Sequence, residues 1–155
     1  MTRWQLSYIL MAVLVSGCRL VGSDGGEIIP FETVRFDELT AVVEPRTAVV
    51  RSREEMDLLW MELYPGIDGG PSLPVDFDFS DRMLVMIFWG PKGGCDPFVE
   101  AVSRVTSAPG RIFVFVGTLP DLGPCRAIIH PVQVIALPQD SRSVVFVGRE
   151  LINFL

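Results

Sequence analysis

The chain has 155 residues, 49% of them hydrophobic and 21% charged, with a formal net charge of −6. That length buries a core in one domain without metals or many cross-links, and the composition excludes a disordered chain or a multi-span membrane protein. An acidic chain with no basic stripe is a poor match for a phosphate backbone, so nucleic-acid binding is not expected.

The first elements are an address. Arg3 supplies a positive start, and Leu6 to Val15 form an apolar run of about ten residues, the length of a secretory h-region and too short to span a bilayer. Val15-Ser16-Gly17-Cys18 has the form of a bacterial lipobox: a branched apolar residue, two small residues and an acceptor cysteine. Residues 1–17 are therefore read as a lipoprotein signal peptide, with Cys18 as the lipidated first residue of the mature chain. Diacylglycerol on the thiol and palmitate-like acylation of the amine, at about 0.8 kcal/mol per buried methylene, hold such a chain on a membrane. Removing the leader takes away Arg3 alone, so −6 minus +1 gives a mature charge of −7. Residues 18–30, glycine-rich and polar at their centre, read as a flexible tether. Arg19, where an Asp favours inner-membrane retention in enterobacterial lipoproteins, points to an outer-membrane or periplasm-facing placement in the envelope.

Residues 31–155 read as a single β-rich domain. Thr47 to Arg51 is a short strand. Ser52-Arg53-Glu54-Glu55 is a capping box, and Met56, Leu59, Trp60 and Leu63 follow at helical spacing until Pro65-Gly66 stops them. Asp76, Asp78 and Asp81 alternate with Phe77 and Phe79, as on a strand with one wet face; a calcium loop would need glycine at its sixth position. Met83 to Trp89 is apolar throughout, the pattern of a strand covered on both faces. Phe98 to Thr106 and Arg111 to Gly117 form a hairpin about Ala108-Pro109-Gly110. Ala127 to Leu137 is a further strand with Pro131 at an edge or bulge, and Ser143 to Val147 closes the set after a turn at Gln139-Asp140-Ser141. The fold class is mainly β (α+β): antiparallel strands in a compact sheet or sandwich, packed with one amphipathic helix.

These residues resemble a family. The helix with Leu58-Leu59-Trp60, Asp78-Phe79-Ser80, the strand Met83 to Gly90, the pair Gly93-Gly94, His130 to Pro138 and Val144 to Val147 look like the C-terminal domain of PrcB, the lipoprotein partner of a spirochaete surface protease. The resemblance covers about a hundred residues. It implies a non-catalytic module that binds or stabilises another envelope protein, possibly a protease. Cys95 stands where the family tends to have an aromatic after the glycine pair.

With Cys18 assigned to lipid, Cys95 and Cys125 are two thiols in an oxidising compartment, which predicts a structural disulfide. The competing reading makes Cys95 a nucleophile with His130, the only histidine, as its base, in an envelope enzyme; it lacks a Cys-x-x-Cys pair. A third reading is a passive structural lipoprotein. Cys95, Cys125 and His130 give zinc only three ligands at non-finger spacing, so no metal or cofactor is expected. Gly-Pro-Lys-Gly-Gly is no phosphate loop, since no Gly-Lys-Ser/Thr follows, and no small-molecule substrate is identified. It offers a backbone surface instead, making Lys92, Gly93, Gly94 and Asp96 the candidate partner-binding residues.

Overall fold

The structure, a computed structural model, describes residues 26–38, 40–65, 77–94, 101–119, 123 and 127–148. In chain order the elements are β1 (Glu27–Ile28), β2 (Glu32–Asp37), β3 (Arg46–Val50), α1 (Arg53–Leu63), β4 (Arg82–Phe88) and β5 (Lys92–Gly93). They continue with β6 (Val102–Ala108), β7 (Arg111–Val116), β8 (Ile128–Ile129), β9 (Val132–Pro138) and β10 (Ser143–Val147). The expected mainly β class with one packed helix holds. A first sheet runs β2-β9-β4-β3, a second runs β1-β6-β7-β10, and β5 and β8 form a separate ribbon.

β4 explains the layering. Met83 to Phe88 are wholly buried, and successive side chains go to opposite faces. Leu84, Met86 and Phe88 join Val132, Val134 and Ala136 of β9 under Met56 and Leu63 of α1. Met83, Val85 and Ile87 join Ile135 and Leu137 against Val105, Ile112 and Val114 of the second sheet. The result is three layers: helix, first sheet, second sheet. A strand with both faces covered needs no polar residue, which is why this run is continuously apolar.

The helix begins at its box. Ser52 accepts a hydrogen bond from the Glu55 amide at 3.1 Å, satisfying one orphan donor. The Glu55 carboxylate accepts from the amide of Arg51 at 2.6 Å, one residue before the cap.

Several local expectations shift. The tether was expected to run through Pro30, yet Glu27 and Ile28 already pair with Ser107 and Thr106 of β6, so the fold takes in its last residues. Asp76 lies outside the described residues, and the rest of the Asp-Phe alternation is a turn: Asp78 accepts from the Ser80 amide at 2.8 Å, while the Phe77 and Phe79 rings pack edge-on at 4.7 Å. The 127–137 run divides at His130-Pro131 into β8 and β9, because Pro131 has no amide to continue a ladder. β9 is central, not an edge, and lies between β2 and β4.

β10 pairs parallel to β7, with Ser143 beside Arg111 and Val147 beside Phe115. The reason is the crossing between sheets at Gln139 to Arg142. The Arg142 guanidinium grips Asp140 at 2.6–2.9 Å and donates to the Ala108 carbonyl at 3.2 Å. Arg51 donates to the carbonyls of Asp140 and Arg142, both at 2.8 Å. The connection is thus pinned beside the β6–β7 turn, where β7 starts, and β10 sets off in the same direction.

Candidate partner-binding surface

Lys92 and Gly93 are β5, facing Ile129 and Ile128 of β8, and the Gly94 amide donates to the Ala127 carbonyl at 3.0 Å. The expected glycine pair is thus part of an ordered ribbon. Asp96, Cys95, Cys125 and Cys18 lie outside the described residues. Residues directly opposite in a ladder share a face, and Gly93 has no side chain to cover its partner. A Cβ built on Gly93 would meet nothing within 4 Å. Ile128 consequently stands 69% exposed beside bare backbone.

A groove of about 300 Å³ adjoins Ile128, walled by Thr40, Ala41, Leu63, Tyr64, Pro65 and His130. Four hydrogen bonds fix its walls. Thr40 Oγ1 donates to the His130 carbonyl at 3.0 Å, the His130 amide to the Glu38 carbonyl at 2.8 Å, and the Ala41 amide to the Leu63 carbonyl at 2.9 Å. The fourth joins His130 Nδ1 to the Thr40 carbonyl at 3.0 Å. A carbonyl only accepts, so Nδ1 is the donor in this bond. Sequence reading offered His130 as a base or a packed strand residue; the structure places it at the break between β8 and β9, tied to Thr40.

Tyr64 lies over the other wall. Its hydroxyl donates to the Asp37 carboxylate, which also accepts from Arg35 Nη2 at 3.1 Å. The Arg35 guanidinium lies 5.6 Å from the Trp60 ring centroid, and the Trp60 and Tyr64 rings are 4.7 Å apart. Burial pushes the Tyr64 phenol far above its ordinary pKa, and the Asp37 hydrogen bond and charge add to this, partly offset by Arg35. Tyr64 is therefore a fixed donor at neutral pH, not a base. This cluster escaped the sequence because it joins β2 to α1 across a long separation; Arg35 and Asp37 at alternate positions were the only local trace.

A second, shallower groove of about 450 Å³ lies over Ala136 and Leu137, beside Pro30 and Phe31. Its Arg82 is engaged by Glu32 at 3.6 Å and Asp81 at 3.8 Å, and stacks 4.5 Å from the Phe77 ring. Among the described residues no group of three His, Cys, Asp or Glu is placed to hold a metal ion, and no helix is long and apolar enough to cross a membrane. What the ribbon and its groove can do is receive an apolar side chain beside Ile128.

Comparison with known proteins found no matching family model, no matching curated protein and no matching solved structure.

Proposed function

We propose that the chain is a lipid-anchored protein of the bacterial cell envelope, held by Cys18, whose β domain binds a protein partner through the β5–β8 ribbon and its groove. The observation that carries this reading is Ile128, a branched apolar side chain 69% exposed opposite a glycine. An exposed aliphatic group beside a groove whose polar walls are already hydrogen-bonded is cheap to desolvate, as the centre of an interface must be. The leader and lipobox support the placement, and the resemblance to the PrcB domain supports an envelope protease as partner class.

The reading includes a disulfide between Cys95 and Cys125. It is supported by the Gly94–Ala127 hydrogen bond, since those residues are one and two positions from the two cysteines. Closing a loop of about thirty residues would contribute about 3.6 kcal/mol on the chain-entropy model.

A photocrosslinking residue at position 128, with position 58 on the outer side of α1 as control, tests the binding surface in native envelopes. One adduct of defined mass is expected at 128 only, and Gly93→Val, which sets a branched side chain into the open space opposite position 128, should weaken it. No adduct at 128, or the same adducts at 58, would overturn the assignment. Intact mass of the membrane-extracted chain, alkylated before and after reduction, reads Cys18 acylation and the disulfide together.

A further inference from the structure

We propose that β10 is the docking edge for a second copy of this chain, whose own β10 pairs with it antiparallel about a two-fold axis at Val145. An open sheet ends in strands whose outer amides and carbonyls can take a further strand, and natural sheets blunt those ends with charge, bulges or shortness. Three of the four ends of the two larger sheets are blunted. β1 has two residues, Glu27 and Ile28. β2 carries Glu32, Arg35 and Asp37, and its register shifts between Thr33 and Arg35. β3 opens on Arg46, which reaches Glu62 of α1 at 2.8 Å. β10 differs: Ser143 to Val147 stay in unbroken register with β7 and include no charge, proline or bulge.

The side chains of this strand are also incompletely covered. Val144 and Phe146 turn to the core between the sheets yet are only partly buried. Ile112 and Val114, directly beside them on β7, are 1% and 0% exposed. The core therefore stops one strand short on this side. On the outward face Val145 is partly exposed and Val147 is 39% exposed. Gly148 still lies against β7, where a Cβ would meet the Val116 carbonyl at 2.5 Å. Within the described residues the chain thus leaves along the sheet and does not turn back across this edge.

Register and charge select a second copy. Directly opposed residues share a face, so a two-fold pairing that joins core side to core side is centred on a residue. Centred on Val145, it sets Val144 opposite Phe146 on the core side. On the outer side Val145 meets its counterpart and Ser143 meets Val147. Val144 and Phe146 then cover each other's open flank, and two four-stranded sheets become one continuous sheet. A net charge of −6 opposes self-association. Of these four ends, β10 is the one where two copies meet with no charged residue in the strand. Five residue pairs make a small contact, so the dimer is reversible and grows with concentration.

The test is photocrosslinking of the purified full chain in detergent over a concentration series, with the photoreactive residue at position 147. The expected product is a homodimer whose adduct maps around Ser143 of the other copy, with a yield that rises with concentration. Val145→Lys sets two ammonium groups opposite each other and should lower that yield about tenfold, as should Val145→Glu with its two carboxylates. Mixing the two variants, made distinguishable by mass, should restore crosslinking between unlike copies only, and that rescue shows both to be folded. No homodimer at any concentration, an adduct mapping away from β10, or a yield untouched by Val145→Lys would overturn the proposal. So would a mixture of folded variants that fails to restore the adduct. An adduct within one copy would also overturn it, assigning the edge to the chain's own continuation. If a lowered denaturation midpoint shows that a variant is misfolded, the adduct map of the chain without the Val145 change decides by itself.

Discussion

Gln133 has no solvent exposure near the start of β9, and every polar atom it brings inside has a use. Its Oε1 accepts from the Ala101 and Val102 amides, each at 3.1 Å, and its Nε2 donates to Thr33 Oγ1 at 3.1 Å. The side chain therefore caps the start of β6 from the first sheet. Gln133→Leu keeps the volume but orphans two buried amides, and should cost about 3 kcal/mol. Urea denaturation reads this as a lowered midpoint at unchanged slope; a loss under about 0.5 kcal/mol would mean that water serves those amides instead. Gly90 makes a second residue-scale case. It has φ +65° at the exit of β4, and a Cβ would sit 2.9 Å from Pro45 Cδ. Gly90→Ala should lower stability by about 2 kcal/mol, from left-handed strain and the clash together.

At the scale of elements, the connection between β9 and β10 depends on a carboxylate. Hydrogen bonds from the Arg142 guanidinium hold Asp140 below its ordinary pKa of 3.8; burial opposes them, while the Arg142 amide and the charges of Arg142 and Arg51 reinforce them. A carboxyl whose folded pKa is depressed stabilises the fold above its unfolded pKa. That contribution is lost as pH falls below about 4 and through the folded value. The stability gap between the native chain and Asp140→Asn should therefore be widest near neutral pH and narrow below pH about 4, measured by denaturation at each pH. A gap independent of pH would mean that the charge plays no part in pinning the connection. Local elements were well written in the sequence: Ser52, Glu55 and the Met56–Leu63 stripe define α1, and the run to Trp89 defines β4. β2, with Glu32, Arg35 and Asp37 in six residues, has no clean alternation and exists because β9 pairs with it.

At the scale of the whole molecule, β4 couples two cores. Trp60 packs against the core under α1, and Trp89 is part of the core between the sheets. Because alternate β4 side chains serve both, neither core can open while the other persists. Trp60→Phe and Trp89→Phe, each leaving one reporter in the mature chain, should show the same denaturation midpoint after correction for their own cost. Both should also match the far-ultraviolet circular dichroism. Separate midpoints would show two independently unfolding halves.

The sequence by itself determined what depends on neighbours along the chain. The helix with its cap, the Pro109-Gly110 turn and the doubly covered strand all rest on short-range pattern. The ribbon was half legible: Lys92 to Gly94 stood out as a backbone surface, but nothing local marked Ile128 as their partner. Tertiary structure decided the rest. Burial on both sides of β4 made two cores, and the Arg51–Asp140–Arg142 junction sent β10 parallel to β7. Gln133 reached across layers to β6, and Tyr64, His130 and Thr40 met around one groove. Those choices are long-range because each hydrogen bond or face is completed by a residue tens of positions away, and no window of sequence contains both partners.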